Sequence, residues 1–521
     1  MKFVKKSVWI ALIAILCLPM IGQKSYAKAP SVISIYLNGN KIQSDVAPYI
    51  LPKVSITMVP LRVISQNLKA SVQWIPKSQT AIIKQKELTM TMKIGQKFAT
   101  VNGEKIPLEA SVQLKDNRVM VPLRFVSSQL GLNVTWYQSA QTIKLQSKEG
   151  SGDYKLKGAW VSTVYNLDWP SSASYGNQEN QKIEYVQLLD ELQSMGMNTV
   201  FVQVRPAADA IYPSLLVPWS RFIQGTQGIA PDYDPLDFMI TETHRRGMAF
   251  HAWFNPFRAN TDARVDNLAP NHVAVLHPEW IVTSGTKMYI NPGIPDARQH
   301  IIDAIMEVVR NYEIDGVHMD DYFYPSGGKF ADELAYATYN SKQIQDIGDW
   351  RRDNINQFVE KLDKSIHSVK PSVQFGISPF GVWRNLEDDP TGSETDAGVT
   401  TYDDMYADVR TWIRQDWIDN VVPQIYWSQS FTVANYDKLV DWWANEVRGT
   451  DVDLYIAHAP YKLGTSETGW NSAQEIINQL KYNERYFEVK GDVFFSAKDL
   501  RRNPLGLVPM LQSYYKVKLS P

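Results

Sequence analysis

Two rhythms of apolar and polar residues run along this chain, and one replaces the other near residue 150. Beyond that point, short apolar runs alternate with longer stretches whose apolar residues recur every three or four positions. The short runs predict strands buried on both faces, and the longer stretches predict amphipathic helices. The strands fall at Gly158–Thr163, Thr199–Arg205, Met248–Asn255, Gly316–Asp321, Val373–Ser378, Asn420–Trp427, Leu454–Ala459 and Asp492–Ser496. Helices are predicted between them, at Ile183–Met195, Pro235–Arg246, Ala297–Tyr312, Trp350–Val369, Tyr436–Val447 and Ala473–Tyr486. Eight strand–helix alternations over residues 151–521 point to the α/β class and to a (β/α)8 barrel of the TIM type. An open, doubly wound sheet would want a glycine-rich first turn. No GxGxxG follows the first strand and no GxxxxGKS/T occurs, which disfavours nucleotide chemistry.

Residues 31–147 follow a different pattern, and it repeats. Val59-Pro60-Leu61-Arg62 returns as Val121-Pro122-Leu123-Arg124, and Trp74 returns as Trp136 at the same 62-residue offset. Asn38-Gly39 and Asn102-Gly103 each follow a strand-like run. The two units, about 31–86 and 87–147, each read as short strands, a turn at Asn-Gly, one helix after the VPLR motif, and further strands. A small α+β domain is therefore expected over residues 28–150, ending in the polar linker Lys148-Glu149-Gly150-Ser151-Gly152-Asp153. These motifs resemble the copper amine oxidase N-terminal-like domain, a stalk module common on Gram-positive surfaces. The family name suggests copper, but residues 28–150 hold no His and no Cys, so no metal is expected there.

The first 27 residues have a third character. Lys2, Lys5 and Lys6 precede the apolar run Val8–Leu18, and Ser25-Tyr26-Ala27 offers a small-x-small cleavage site. This predicts a secretory signal peptide over residues 1–27, since the run is too short to span a bilayer comfortably. No other segment reaches membrane-spanning length. The one cysteine, Cys17, lies inside the run. The mature chain would then have no disulfide, no thiolate metal site and no cysteine nucleophile. A secreted protein without disulfides fits a bacterial cell surface or wall.

Charge changes the picture once it is divided along the chain. The formal net charge of -2 combines +10 over residues 28–150, from 16 Lys+Arg against 6 Asp+Glu, with -16 over residues 151–521, from 33 against 49. The four remaining lysines lie in residues 1–27. A +10 stalk would be drawn to anionic wall polymers by long-range electrostatics; a hydrated spacer is the alternative. Nucleic acid is not an expected partner for a secreted chain.

The predicted barrel strands end in polar residues, and in such barrels chemistry sits where strands end. Side chains alternate faces along a strand. Gln203 and Arg205 therefore share a side, as do His251, Trp253 and Asn255; His318, Asp320 and Tyr322; and Gln424 and Tyr426. If these point inward, donors, a carboxylate and aromatics converge on one mouth. The barrel holds 13 of the 16 Trp. Most fill the core, but Trp253, Trp427 and Trp383 lie in strand-end motifs, where aromatic faces suit sugar rings. Asp320, ending an apolar strand, is the first candidate for a glycosidase carboxylate, with Asp321 beside it. Arg205 could hold Asp320 ionised or bind an anionic sugar substituent. No HExxH, HxH strand or EF-hand loop is present, and no cofactor is expected.

Lys157-Gly158-Ala159-Trp160-Val161, Gln203-Val204-Arg205-Pro206, Trp253-Phe254-Asn255-Pro256, Asp315-Gly316-Val317-His318-Met319-Asp320-Asp321-Tyr322-Phe323-Tyr324-Pro325 and Pro423-Gln424-Ile425-Tyr426-Trp427 resemble the glycosyl-hydrolase-like family ten, in the right order over most of residues 154–500. The resemblance implies a (β/α)8 glycoside hydrolase of the bacterial envelope, with some members cleaving peptidoglycan glycan strands. It implies Asp320 as a catalytic carboxylate in a cleft lined by Arg205, His251, Asn255, Tyr322, Gln424, Tyr426 and Trp427. The fourth strand is also similar to the DxxDxDxE signature of chitinases. Asp315 and Asp320 match, but His318 replaces the middle acid and Tyr322 the glutamate, so a proton donor must come from elsewhere. Asp321, Asp209, Glu394 and Asp389 are candidates.

The leading expectation is a secreted, wall-associated glycoside hydrolase; the alternative is a non-catalytic glycan-binding surface protein. Removing residues 28–150 is expected to weaken retention on purified cell walls, most strongly at low salt. Equal retention with and without the stalk at every ionic strength would leave the charge division without that role.

Overall fold

The computed structural model describes residues 33–516, apart from 38–39, 53–55, 68–69, 86–87, 138–140, 148–154, 321–322 and 328. The expected signal peptide with Cys17, the linker 148–153, Asp321 and Tyr322 lie outside the described residues. Among those described, no helix is long and apolar enough to cross a membrane.

The stalk is β-rich. Each VPLR motif ends a strand, Ile56–Pro60 or Arg118–Pro122, and opens a seven-residue helix, Leu61–Asn67 or Leu123–Gln129. The proline closes the strand, and its missing N–H costs nothing at a helix start. The two VPLR strands pair antiparallel, with Val59 opposite Val121. Ser34–Leu37 crosses to the other end of the domain and pairs in parallel with Thr142–Ser147, Ile35 opposite Ile143. The two stretches read as units thus exchange strands around a shared core, which holds Val59, Ile83, Val121 and Ile143 together.

Eight parallel strands then close a barrel: β1 (Leu156–Val161), β2 (Thr199–Arg205), β3 (Ala249–Phe254), β4 (Gly316–Asp320), β5 (Gln374–Ser378), β6 (Asn420–Val421), β7 (Asp453–His458) and β8 (Val489–Phe494). Closure is made by β8 against β1, with Gly158 opposite Val493. The outer helices include α1 (Gln178–Ser194), α2 (Pro235–Arg245), α3 (Pro295–Asn311), α4 (Ile347–Val369), α5 (Val409–Arg414), α6 (Tyr436–Val447) and α7 (Gln474–Asn483). Their starts are set locally. Asn177, Asp234, Asp346 and Asn435 accept from backbone N–H groups of the first turns of α1, α2, α4 and α6, satisfying donors that a helix leaves open.

One predicted strand is shorter than expected. The run 420–427 keeps a regular ladder only over Asn420–Val421, because Pro423 has no N–H to give. Pairing resumes as single bridges, Gln424 to Phe380 and to Ala457, so this stretch still continues the wall. α5, between β5 and β6, has only six residues and left no helical period in the sequence.

Every second residue of each strand turns inward. Leu156, Trp160, Phe201, Trp253, Val422, Tyr455, Ala457 and Val493 pack together there. His251 sits against Gly316, where a Cβ would fall 2.4 Å from its Nδ1. Gly316→Ala is therefore expected to lower stability by about 1–3 kcal/mol, the usual cost of overpacking, read as a drop in the thermal unfolding midpoint. An unchanged midpoint would mean the imidazole has room to move.

Candidate active site

The mouth at the C-terminal ends of the strands has two unlike sides. On β2, β3 and β4 a chain of amides leads to a carboxylate. Gln203 is wholly buried, and its Oε1 accepts from the backbone N–H of Thr163 at 3.0 Å and of Val164 at 2.8 Å, and from Ser162 Oγ at 3.1 Å. With that oxygen pinned, its Nε2 is left to donate to Asn255 Oδ1. Asn255 Nδ2 in turn donates to Asp320 Oδ2. Each amide can satisfy this chain in only one orientation, so the backbone after β1 fixes how Asp320 is held. Asp320 is buried at the strand end, 7% exposed.

On the opposite side, aromatic rings gather from β6, β7, β8 and β1. The Tyr426 ring lies 6.0 Å from Tyr461 and 6.3 Å from Phe495, and Phe495 lies 6.1 Å from Trp160. Tyr426 and Phe495 are half-buried, and Tyr461 is exposed. Trp427 is half-buried and forms a T-shaped pair with Phe380, ring centroids 5.5 Å apart. Gln424 donates through Nε2 to Ser378 O at 3.0 Å, tying β6 to β5. Trp253 lies below, in the inner apolar cluster, 6% exposed.

Other sequence candidates lie elsewhere. A register shift between Gln203 and Arg205 breaks their shared side. Arg205 is wholly buried and donates through Nη1 to the carbonyls of Asn255 at 2.9 Å and Pro256 at 3.0 Å. Burial pulls its pKa down, opposed by Tyr212 and Asp209 on the segment after β2. His251 sits below Trp253 and Asn255 on β3, its ring 4.7 Å from Phe201. Trp383 is stacked on Trp442 at 5.6 Å, with the Arg410 guanidinium 4.5 Å from its ring.

The candidate proton donors are also distributed. Asp209 is wholly buried, accepting from Ala207 N at 3.1 Å and Gln227 Nε2 at 3.0 Å. Asp389 accepts from Thr391 N and Oγ1 in a turn, and Glu394 is an exposed partner of Lys438 at 2.8 Å. Sequence reasoning missed Tyr461, in the 3-10 turn Pro460–Lys462 after β7, and Phe495, directly after β8, which gain meaning only from the ring cluster. It also missed Asp168, which follows β1 and braces the end of β8 by accepting from Ser496 Oγ at 2.8 Å, Lys498 N at 2.6 Å and Ser162 N at 2.8 Å. Burial pushes its carboxyl up to about 6, with those donors pulling the other way.

A closed parallel barrel with a carboxylate and aromatic walls at its C-terminal mouth defines a barrel-type glycosidase. The Glycosyl hydrolase-like 10 model matches residues 155–472, and the Copper amine oxidase N-terminal domain model matches 36–145. The chain belongs to the Glycosyl hydrolase-like 10 family, and it is a glycoside hydrolase. It is 49% identical over 376 residues to the glycosyl hydrolase YngK of Bacillus subtilis strain 168, covering 71% of this chain and 74% of that one. It is 41% identical over 370 residues to the glycosyl hydrolase DigH of Escherichia coli K12, covering 67% and 84%. The PgaB (BpsB) glycoside hydrolase domain of Bordetella bronchiseptica is similar at 12% identity with a TM-score of 0.49, over 70% of this chain and all of that one.

Three histidines of the barrel make its stability fall in acid. Burial pushes His251 down to about 4, with Asp315 opposing and Lys144 adding to the effect, and burial likewise pushes His272 and His300 down to about 4. The unfolded chain takes up these protons from about pH 6.5 downward. Stability is therefore fully present above about 6.5 and is lost as pH falls toward 4. The thermal midpoint should drop between pH 7.5 and 4.5, and drop less in His300→Gln, whose ring is the least enclosed. An equal drop would remove His300 from that account.

Proposed function

We propose that this glycoside hydrolase is a secreted, cell-wall-associated enzyme that cleaves the glycan strands of peptidoglycan. The observation that carries the glycan reading is the pairing of an Asn255-held Asp320 with the ring cluster of Tyr426, Tyr461 and Phe495 across one mouth. A sugar presents C–H faces to stack on aromatics and hydroxyls to bond to amides, and its glycosidic bond then lies where a fixed carboxylate can act. Asp320 serves as one of the two carboxyl groups that such hydrolysis uses.

Secretion is supported by the lysines, apolar run and Ser25-Tyr26-Ala27 of the N-terminus, and wall association by the +10 stalk. Peptidoglycan is what the resemblance of the strand-end motifs to that family implies. An acidic barrel would be repelled by polyanionic wall polymers, so a basic stalk is a reasonable means of holding it near them.

Purified glycan strands, with and without stem peptides, should yield new reducing ends on incubation with the protein. Asp320→Asn should lower that rate by at least about 10²-fold, in the range for a lost acid–base or nucleophilic group, while leaving glycan binding intact. Full activity in Asp320→Asn would overturn the carboxylate's role. Activity on other glycans but none on wall strands would remove peptidoglycan as the substrate.

A further inference from the structure

The stalk sheet formed by Leu132–Tyr137, Thr142–Ser147, Ser34–Leu37 and Asn40–Ile42 has two faces of different character. One bears Ile35, Leu37, Ile143 and Leu145 and fills the stalk core. The other bears Tyr36 opposite Lys144, and Tyr137 opposite Thr142. A sheet face of this polarity normally meets water. Here Tyr36, Tyr137, Thr142 and Lys144 are all buried.

What covers them is the N-terminal end of the barrel. The Tyr137 ring stacks on His244, at the end of α2, with centroids 3.6 Å apart and planes 21° from parallel. Its hydroxyl donates to Asp315 Oδ1, and Lys144 Nζ lies 3.6 Å from the same oxygen. The other oxygen of Asp315 lies 2.8 Å from His244 Nε2 and accepts from Phe250 N at 2.8 Å. Tyr36 donates to the carbonyl of Arg245 at 2.6 Å. Its ring closes over Gly247, where a Cβ would fall 2.1 Å away. Burial raises the pKa of Asp315, but Lys144 and His244 outweigh it and hold the carboxyl far below the usual range.

The sequence carries an independent sign. At the 62-residue offset relating the two VPLR motifs, Tyr137 and Lys144 correspond to Ile75 and Ile82. Those isoleucines are half-exposed. The two stretches thus differ in polarity where the second one touches the enzyme.

We infer that the stalk is a fixed base seated on the N-terminal end of the barrel, with Lys144 as the buried counter-charge of Asp315, and not a swinging tether. The module therefore belongs to the enzyme's folded unit and sets the direction in which the mouth opens. This holds whichever glycan is the substrate. Truncating residues 28–150 would uncover Asp315 as well as remove basic charge, so retention comparisons need full-length variants beside the truncation.

The mature chain has no cysteine, so spin labels can be placed at Ser71→Cys on the stalk and Gln187→Cys on the barrel, both exposed. Pulsed electron resonance on the full mature chain should give one narrow distance distribution. Lys144→Glu, which sets two carboxylates together, should broaden it while the barrel keeps a cooperative thermal transition. If that chain does not fold, Lys144→Met combined with Tyr137→Leu is measured the same way, with the same broadening expected. A broad distribution in the parent, or an equally narrow one in the folded variant, overturns the inference.

Discussion

A closed barrel has no sheet edge, and in exchange every second side chain of eight strands must share one narrow interior. That constraint shapes the rest of this molecule. The interior takes large apolar groups where it can, as at Trp160, Phe201 and Tyr455. It takes His251 and His318 only as neutral rings, both depressed by burial, because ions cannot be desolvated there without a partner. A carboxylate becomes tolerable at the end of β4, where Asn255 reaches it. The amide chain from Gln203 is thus as much a condition for Asp320 being there as a device for aiming it.

Much of the fold was legible because a strand buried on both faces leaves a continuous apolar run. β2 falls at Thr199–Arg205 as expected. β6 was less legible because its apolar run contains Pro423, whose effect on pairing depends on the neighbouring strands. The stalk's strand exchange was invisible for a different reason. Parallel pairing of Ser34–Leu37 with Thr142–Ser147 spans more than a hundred residues and leaves no local signal.

The site divides in the same way. Alternation along a strand brought out Asn255 and Asp320 on their strands and Gln203 on its own. It failed for Arg205, because a shift after Gln203 inserts an irregularity that no residue type announces. Residues beyond the strand ends were harder still. Asp168 acquires its partners from positions 328 and 330 residues further on, and Tyr461 and Phe495 are unremarkable until their rings are seen together. The aromatic side of the mouth is a property of closure, since it needs β8 to return beside β1.

β4 ties the two ends of the enzyme together. Asp315, just before it, meets the stalk, and Asp320, at its end, meets the mouth. A five-residue strand rises only about 17 Å, so footing and working end stand back to back across one barrel's depth. An enzyme built this way faces outward from whatever it stands on. Whatever the stalk touches therefore lies behind the carboxylate, a full barrel's depth from the bond it would attack.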